Sequence, residues 1–271
     1  MNAELLIMFT LDCNRAYLYA HPERILTADE LQRYDEAIAR RATGVPAQYI
    51  TGHQEFWGLD LIVSPAVLIP RPETEHVIET VLEIARRKSD DHGVHGVAQR
   101  NPAVRFADVG TGSGAIAIAL AKEFPAAEIH ATDISPAALE VARANAARHE
   151  MSSRIRFHQT DILNGLDGTF DCVVSNPPYV GESEEDSVQL EVRKFEPRNA
   201  VFAGPTGFEV IERLIPQAQT ALKPGGWLVF EISGTIVNGV PRLLSSWDDV
   251  QIKNDLQGIP RVALARKPLR K

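Results

Sequence analysis

The stretch Asn176-Pro177-Pro178-Tyr179 contains the residue types best suited to chemistry on a neutral nitrogen. It follows an apolar run at residues 170–175, which predicts a buried parallel strand. Two prolines cannot continue a hydrogen-bonded ladder, so the strand must end in a rigid turn. The Asn176 side-chain oxygen and the Pro177 carbonyl can accept hydrogen bonds from both N–H groups of a planar NH2, with Tyr179 as an aromatic wall. This turn predicts a site for a carboxamide or for the amino group of a nucleobase.

A glycine-rich loop at residues 108–114 lies between a predicted strand and a predicted helix. Glycines let the backbone turn sharply and let a ligand approach closely, while the helix N-terminus offers free N–H groups. Taken alone, the loop is also compatible with an ordinary tight turn. The candidate cofactor-binding residues in the loop are Gly110, Thr111, Gly112, Ser113 and Gly114.

Acidic residues end the next two predicted strands. Asp133 lies about 20 residues after the glycine loop, where a carboxylate can accept both hydroxyls of a ribose. Asp161 can accept a hydrogen bond from an adenine amino group, and the ring can lie between Ile134 and Ile162. The alternative is that both acids only cap the turns after their strands. Polar groups at three successive strand ends favour a nucleotide-type site.

The elements that must position these residues alternate between strands and helices. Helices are predicted at residues 115–124, 136–149 and 210–222, and strands at residues 104–109, 128–132, 154–159, 170–175, 227–232, 250–253 and 262–265. This alternation predicts an α/β fold with a doubly wound, mostly parallel sheet of seven strands, covered by helices on both faces.

The first 50 residues have a different, helical pattern. Thr27 followed three residues later by Glu30 predicts a capping box, and the helix it starts ends near Gly44. Residues 49–52 and 56–63 are interpreted as the two strands of a hairpin, and an amphipathic helix follows through residues 77–84. The predicted domains are 1–50 (helical, substrate-docking), 51–69 (connecting β-hairpin) and 70–271 (catalytic).

Composition limits the possible classes of protein. The chain has 271 residues, 44% of them hydrophobic, which is enough for a sizeable core. A formal net charge of −8 disfavours general nucleic-acid binding. Two cysteines, no signal sequence and no membrane span indicate a cytoplasmic protein in a reducing compartment. Residues 88–103 are predicted to be a polar loop in which His92 and His95 are solvated, so no metal site is expected.

The cofactor follows from the combination of motifs. A hydride-transfer enzyme would need a nicotinamide pocket and a proton relay, and no sequence signal marks either. S-adenosylmethionine requires a loop around its methionine end, an acid for its ribose and a methyl acceptor beside its sulfonium. The glycine loop, Asp133, Asp161 and the turn beginning at Asn176 meet these requirements together.

With these motifs, the chain resembles the bacterial release-factor glutamine methyltransferases. The resemblance extends from about Ala3 to the end, and it is most specific at residues 68–75 (Leu-Ile-Pro-Arg-Pro-Glu-Thr-Glu), with residues 41–52 and 195–197 also matching. The Asn-Pro-Pro-Tyr turn alone is shared with DNA and RNA amino-methyltransferases. The family usually carries a further helix before Ala3, so a shortened helical domain is expected.

The resemblance implies a Rossmann-like class I methyltransferase that binds S-adenosyl-L-methionine and releases S-adenosyl-L-homocysteine. It implies a substrate, the glutamine of the Gly-Gly-Gln motif in class I peptide-chain release factors, and hence a role in translation termination. By position, Gly110–Gly114, Asp133, Ile162 and Asn176 would contact the cofactor, and Asn176, Pro177, Pro178 and Tyr179 would hold the glutamine.

Two other functions stay open on the sequence alone. The same pocket could methylate an adenine or guanine amino group, although the acidic charge disfavours this. A cofactor-binding module without catalysis is the second alternative. Arg71, Glu73 and Glu75 also have two interpretations, as ordinary helix initiation or as residues that shape the mouth of the pocket.

Overall fold

A computed structural model describes residues 2–90 and 104–269 of the chain. Most of the predicted polar loop, including His92 and His95, lies outside the described residues. Every helix in the described ranges is too short or too polar to cross a lipid bilayer.

The helices and strands are numbered in chain order. The helices are α1 Asn2–Leu11, α2 Arg15–Ala20, α3 Ala28–Ala42, α4 Ala47–Thr51, α5 Glu75–Asp90, α6 Ala115–Glu123, α7 Pro136–Arg148, α8 Leu190–Phe195, α9 Arg198–Val201, α10 Glu209–Ala221 and α11 Val240–Leu243. The strands are β1 His53–Phe56, β2 Leu59–Ile62, β3 Arg105–Val109, β4 Glu128–Asp133, β5 Ile155–Gln159, β6 Phe170–Ser175, β7 Val180–Gly181, β8 Phe202–Gly204, β9 Leu222–Glu231, β10 Asp248–Asn254 and β11 Pro260–Arg266.

The main sheet confirms the predicted fold class. Its seven strands lie in the order β10-β11-β9-β6-β3-β4-β5, and every neighbouring pair from β9 to β5 is parallel. β11 is antiparallel to both of its neighbours, β10 and β9. The central strands β3, β4 and β6 are buried along most of their length, because both faces of the sheet are covered by hydrophobic clusters. The carboxyl ends of β3, β4, β5 and β6 therefore meet at one edge.

Four helices form the N-terminal part, and its capping signal is confirmed. Thr27 and Glu30 each bond the other's backbone N–H, as a capping box requires, and this starts α3. The predicted helical pattern of the first 50 residues is interrupted near its start. α1 ends at Leu11, and Asp12 adopts a left-handed φ of 48° before α2 begins.

The predicted strand at residues 49–52 is wrong. Residues 49–51 belong to α4, which begins after Pro46 and is capped by Gly52, whose φ is +78°. Tyr49 and Ile50 suggested a strand because aromatic and β-branched side chains are common in sheets. Here burial of the short helix overrides that preference, since four of its five residues are buried. The hairpin begins only at His53 and turns at Trp57-Gly58, so it consists of β1 and β2.

The segment after the hairpin packs between α4 and α7. Val63, Val67 and Ile69 form a small buried cluster with Tyr49 of α4 and Ala138 of α7. The Tyr49 hydroxyl donates a hydrogen bond of 2.6 Å to the carbonyl of Val67. Helix α4 of the N-terminal part and helix α7 thus share a hydrophobic cluster with the segment after the hairpin.

Candidate active site

A cavity of about 380 Å³ opens at the carboxyl edge of the sheet. Its wall includes residues that follow β3, β4, β5 and β6, which is the arrangement expected for ligand sites in open α/β sheets. The residues predicted for cofactor and substrate that line it are Gly110, Thr111, Gly112, Ser113, Asp133, Asp161, Ile162, Asn176, Pro177 and Pro178. Gly114 and Tyr179 do not line it. The structure therefore brings together all but two of the predicted residues on one surface.

The glycine loop forms one wall through its unusual backbone. Gly110 and Gly112 have φ values of +69° and +55°, a region that residues with a Cβ rarely adopt. A Cβ on Gly110 would meet nothing within 4 Å, so that side of the loop is open to the cavity. Gly114 serves packing instead, because a Cβ there would come within 3.2 Å of Ile118 and Ala142. Gly114 thus lies where α6 packs on α7, and it does not line the cavity.

Asp133 is held at the end of β4 by two backbone donors. Its Oδ2 accepts a hydrogen bond from the Gly112 N–H and its Oδ1 accepts one from the Ser135 N–H, each at 2.9 Å. Burial raises the pKa of Asp133, and these two donors oppose the rise. Each carboxylate oxygen has a second lone pair, so the fixed side chain can still accept hydroxyl donors from a ligand.

Two isoleucines lie where a flat ring was predicted. Ile134 lines the cavity with 60% of its surface exposed, which is unusual for so large an apolar side chain. Ile162 is buried and has a φ of 58°, a strained conformation for a β-branched residue. Such strain concentrates at ligand sites, where the surrounding structure holds it in place. Asp161 forms an ion pair with Arg213 of α10, a cavity residue that the sequence did not suggest.

The proline turn presents Asn176 to the cavity. The Asn176 Nδ2 donates a hydrogen bond of 2.9 Å to the hydroxyl of Thr74, which uses one of its two N–H groups and turns the NH2 end toward Thr74. Its Oδ1 is left as an acceptor. Among the described residues, no donor reaches the Pro177 carbonyl oxygen either. The turn therefore offers two acceptors, which suit a ligand that carries two N–H bonds.

Tyr179 lies beside the cavity and points toward the sheet. Its hydroxyl donates a hydrogen bond of 2.9 Å to Glu231 Oε1, and its ring packs on the hydrophobic cluster beneath. Burial and the neighbouring carboxylate raise the pKa of Tyr179 well above its ordinary value, so it stays a neutral donor. The role of an aromatic wall stays a prediction for this residue.

Glu231 is a buried carboxylate at the end of β9, and sequence reasoning missed it. It is 2% exposed and accepts hydrogen bonds from the hydroxyls of Thr74, at 2.6 Å, and of Tyr179. Burial raises the pKa of Glu231, and the two hydroxyl donors oppose this rise. The sequence signal that could have identified Glu231 is an acidic residue at the end of an apolar strand. Such a residue is rarely buried without partners.

The charged residues of the Pro-Arg-Pro-Glu-Thr-Glu segment have distinct contacts. Arg71 pairs with the buried Glu196, and Glu75 accepts a hydrogen bond from the Trp57 N–H at 2.8 Å. Glu73 lies 3.7 Å from Arg261 of β11. Pro72 begins a 3-10 turn that leads into α5, as the helix-initiation interpretation requires. Pro70 and Thr74 of this segment line the cavity, as does Leu68 just before it.

Asp108 supports the glycine loop from within the core. It is fully buried, and its Oδ2 accepts hydrogen bonds from the Thr111 hydroxyl and the Ala117 N–H. Burial raises the pKa of Asp108 to about 7, while both donors and the more distant Asp133 act as smaller influences. This carboxyl group fixes the loop and does not line the cavity.

Comparisons with known proteins match the chain to two domain families and to named relatives. Residues 1–52 match the family described as "PrmC N-terminal domain", and residues 95–194 match "Methyltransferase small domain". The chain is 54% identical to the release factor glutamine methyltransferase of Koribacter versatilis over 99% of this chain and 91% of that protein. It is 42% identical to the enzyme of the same name from Chlorobaculum tepidum, over 96% of this chain and 88% of that protein.

Solved structures support the fold. A 16S rRNA N2 methyltransferase of T. thermophilus, solved in complex with AdoMet and guanosine, superposes with a TM-score of 0.54 at 18% identity. The match covers 79% of this chain and 49% of that one. At this identity the likeness concerns the fold of the catalytic part.

Proposed function

The chain belongs to the release factor glutamine methyltransferase family and is an S-adenosylmethionine-dependent methyltransferase, and we propose that it methylates the glutamine side chain of the Gly-Gly-Gln motif in class I release factors. Methylation there would modulate translation termination. The observation that carries the proposal is the pair of acceptors, Asn176 Oδ1 and the Pro177 carbonyl, at the wall of a cavity shared with the glycine loop.

The residues of the cavity suit S-adenosylmethionine. The open space beside Gly110 and Gly112 accommodates a ligand against the loop, where a side chain would intrude. The Asp133 carboxylate is placed to accept ribose hydroxyls. The exposed Ile134 offers an apolar surface to adenine. The adenine base would lie on the side of the cavity formed by Asp161.

The proposed reaction is a direct displacement. When bound, S-adenosylmethionine supplies a methyl group on a sulfonium, which is an electrophilic carbon. The amide nitrogen of glutamine forms the new N–CH3 bond, the old S–CH3 bond breaks and leaves a neutral thioether, and one N–H proton passes to solvent. An amide nitrogen is a weak nucleophile because its lone pair is shared with the carbonyl.

The chain's own residues compensate by orientation and by local charge. Hydrogen bonds from the two N–H groups to Asn176 and Pro177 would direct the nitrogen and stabilise the positive charge that develops on it. Holding reactants in such a geometry contributes about 7–11 kcal/mol in well-oriented cases. Asn176, Pro177, Pro178 and Tyr179 are the proposed substrate residues. The proposed cofactor residues are Gly110–Ser113, Asp133, Asp161, Ile162 and Asn176.

A nucleobase amino group is the second candidate for the group that receives the methyl, because it too carries two N–H bonds. The net charge of −8 disfavours a nucleic-acid substrate, since phosphate contacts require lysine and arginine. The match of residues 1–52 to a domain named for this protein family also favours the protein substrate.

Mass spectrometry of a class I release factor incubated with the protein and S-adenosylmethionine tests the proposal. We expect one added methyl group, located by fragmentation on the Gly-Gly-Gln glutamine. A parallel incubation with total RNA and with duplex DNA, using cofactor labelled in its methyl group, tests the nucleobase. Label in nucleic acid and none in release factor would reject the proposed substrate.

A further inference from the structure

A chain of hydrogen bonds behind the proline turn fixes which end of the Asn176 amide faces the cavity. We propose that Thr74 and Glu231 are positioning residues for methyl transfer, acting through Asn176. The inference rests on the proposed function and deepens it, because it explains how the site selects a group that donates two hydrogen bonds.

The number of available hydrogens determines which atom donates in each hydrogen bond of this network. Glu231 Oε2 and Thr74 Oγ1 are 2.6 Å apart, and an ionised carboxylate only accepts, so the single hydroxyl hydrogen of Thr74 is committed to Glu231. Thr74 Oγ1 then has only lone pairs for Asn176, 2.9 Å away. If the Asn176 amide were flipped, its Oδ1 would face Thr74 Oγ1, and neither oxygen would have a hydrogen to donate. Its NH2 end must therefore face Thr74, which leaves Oδ1 as the acceptor that this cavity residue can offer to a ligand.

The same carboxylate holds both ends of the four-residue turn. Glu231 reaches Asn176, the first residue, through Thr74, and its other oxygen accepts the hydroxyl of Tyr179, the last residue, at 2.9 Å. Glu231 and Thr74 are 2% and 4% exposed, so water does not compete for these bonds. A buried and fully bonded network of this kind resists reorientation.

This polarity matters for the substrate. A glutamine amide nitrogen offers two donors, and Asn176 Oδ1 is matched to one of them. An Asn176 with its NH2 toward the cavity would place donors against donors, which costs binding and orientation together. The network thus selects an amide or amine nitrogen over an acceptor-only group such as a carboxylate.

Kinetics of three single variants test the proposal. Thr74→Val keeps the shape of the side chain and removes both bonds, so we expect kcat to fall about 10- to 100-fold because the acceptor is misplaced. KM for S-adenosylmethionine should stay near the wild-type value. Thr74→Ser retains the hydroxyl and should restore kcat. Thr80→Val is the matched control, because Thr80 is equally buried on α5 and does not line the cavity.

Either of two results would overturn the proposal. One is a Thr74→Val enzyme with the kcat of the wild type. The other is an equal fall in kcat for Thr74→Val and Thr80→Val, which would indicate general damage to α5. If the wild type itself leaves release factors unmethylated, the proposed function fails, and the network is then tested by the following measurement alone.

Side-chain amide NMR of the 15N-labelled protein without cofactor provides that measurement. The Asn176 NH2 protons should exchange slowly with water in the wild type and in Thr74→Ser, because one of them is bonded to a buried hydroxyl. Exchange in Thr74→Val should be as fast as that of an exposed asparagine. Equal exchange rates in wild type and Thr74→Val would contradict the network.

Glu231→Gln separates positioning from folding. Thr74 and Tyr179 bond different oxygens of the carboxylate, and glutamine has an NH2 group in place of one of them, so one of the two bonds is lost and kcat should fall. Burial disfavours the charged carboxylate that this variant removes, so the melting temperature should be unchanged or higher. Retention of full kcat would reject a positioning role for Glu231, and so would a loss of kcat matched by a loss of melting temperature.

Discussion

Arg71 forms an ion pair with Glu196, although the two residues are 125 positions apart in the sequence. The Glu196 side chain is only 1% exposed. Glu196 also accepts a hydrogen bond of 3.0 Å from the Ile69 N–H. One carboxylate thereby fastens the segment before α5 to the segment before α9. Both segments contribute to the cavity wall through their neighbours Pro70 and Pro197.

Arg71→Ala should therefore destabilise the fold. It leaves a buried carboxylate without its cation, which typically costs about 3–5 kcal/mol, and somewhat less here because Arg71 is one-third exposed. Urea denaturation followed by circular dichroism measures the loss. Arg148→Ala is the control, since its pair with Asp60 is roughly half exposed and should contribute about 0–1 kcal/mol. Equal losses for the two variants would contradict the structural role given to Arg71.

Asn176→Ala should nearly abolish turnover and leave cofactor affinity less affected. The substitution removes the proposed acceptor for the substrate nitrogen, and loss of one such preorganised group typically lowers kcat about 100- to 1,000-fold. Single-turnover methylation of a release factor measures the chemical step, and calorimetric titration with S-adenosylhomocysteine measures the affinity. Near-normal turnover of the variant would show that the acceptor model is wrong.

Gly112→Ala should weaken cofactor binding beyond its cost in stability. A left-handed φ costs a residue with a Cβ about 1–2 kcal/mol in any context. Gly258 has a φ of +80° with nothing within 4 Å of an added Cβ, and it lies away from the cavity. Gly258→Ala should thus lose similar stability and keep full affinity for S-adenosylhomocysteine. If both variants bind equally well, Gly112 is not part of the cofactor cradle.

Asp108 predicts a pH dependence of stability. Its pKa is raised from 3.8 to about 7 by burial, so between these values the folded protein holds a proton that the unfolded chain has released. Stability must then fall as pH rises from about 4 to about 7, by about 1.4 kcal/mol for each pKa unit of the shift. Asp108→Asn removes the titrating group and keeps an acceptor for Thr111 and Ala117.

The difference in free energy of unfolding between Asp108→Asn and wild type should therefore grow in favour of the variant across this range. Urea denaturation at several pH values measures it. Asp186→Asn, at a fully exposed side chain, serves as the control. Parallel curves for wild type and Asp108→Asn would contradict the proposed protonation.

Local signals in the sequence predicted most of the fold. The run at residues 170–175 is the strand β6 with the same bounds, because a continuous apolar stretch ended by two prolines has few alternatives. The capping box at Thr27 is equally local. The short helix α4 was missed because tertiary burial, which no local pattern encodes, outweighed the strand preference of Tyr49 and Ile50.

The candidate site divides in the same way. Strand ends located Asp133 and Asn176 at the cavity, since parallel strands place their carboxyl ends at one edge. The partners of Asn176 could not be found in this way, because Thr74 lies 102 positions before it and Glu231 lies 157 positions after Thr74. Contacts over such separations depend on how α5 packs on β9.

The stretch that joins the hairpin to α5 also builds the reaction pocket, since Leu68, Pro70 and Thr74 all belong to its wall. This junction cannot serve as a passive spacer between two interchangeable modules. A chimera that exchanges the helical part for that of a relative should be spliced upstream of Leu68. A one-residue insertion after Ile69 would shift Thr74 out of register with Asn176 and so inactivate an otherwise complete enzyme.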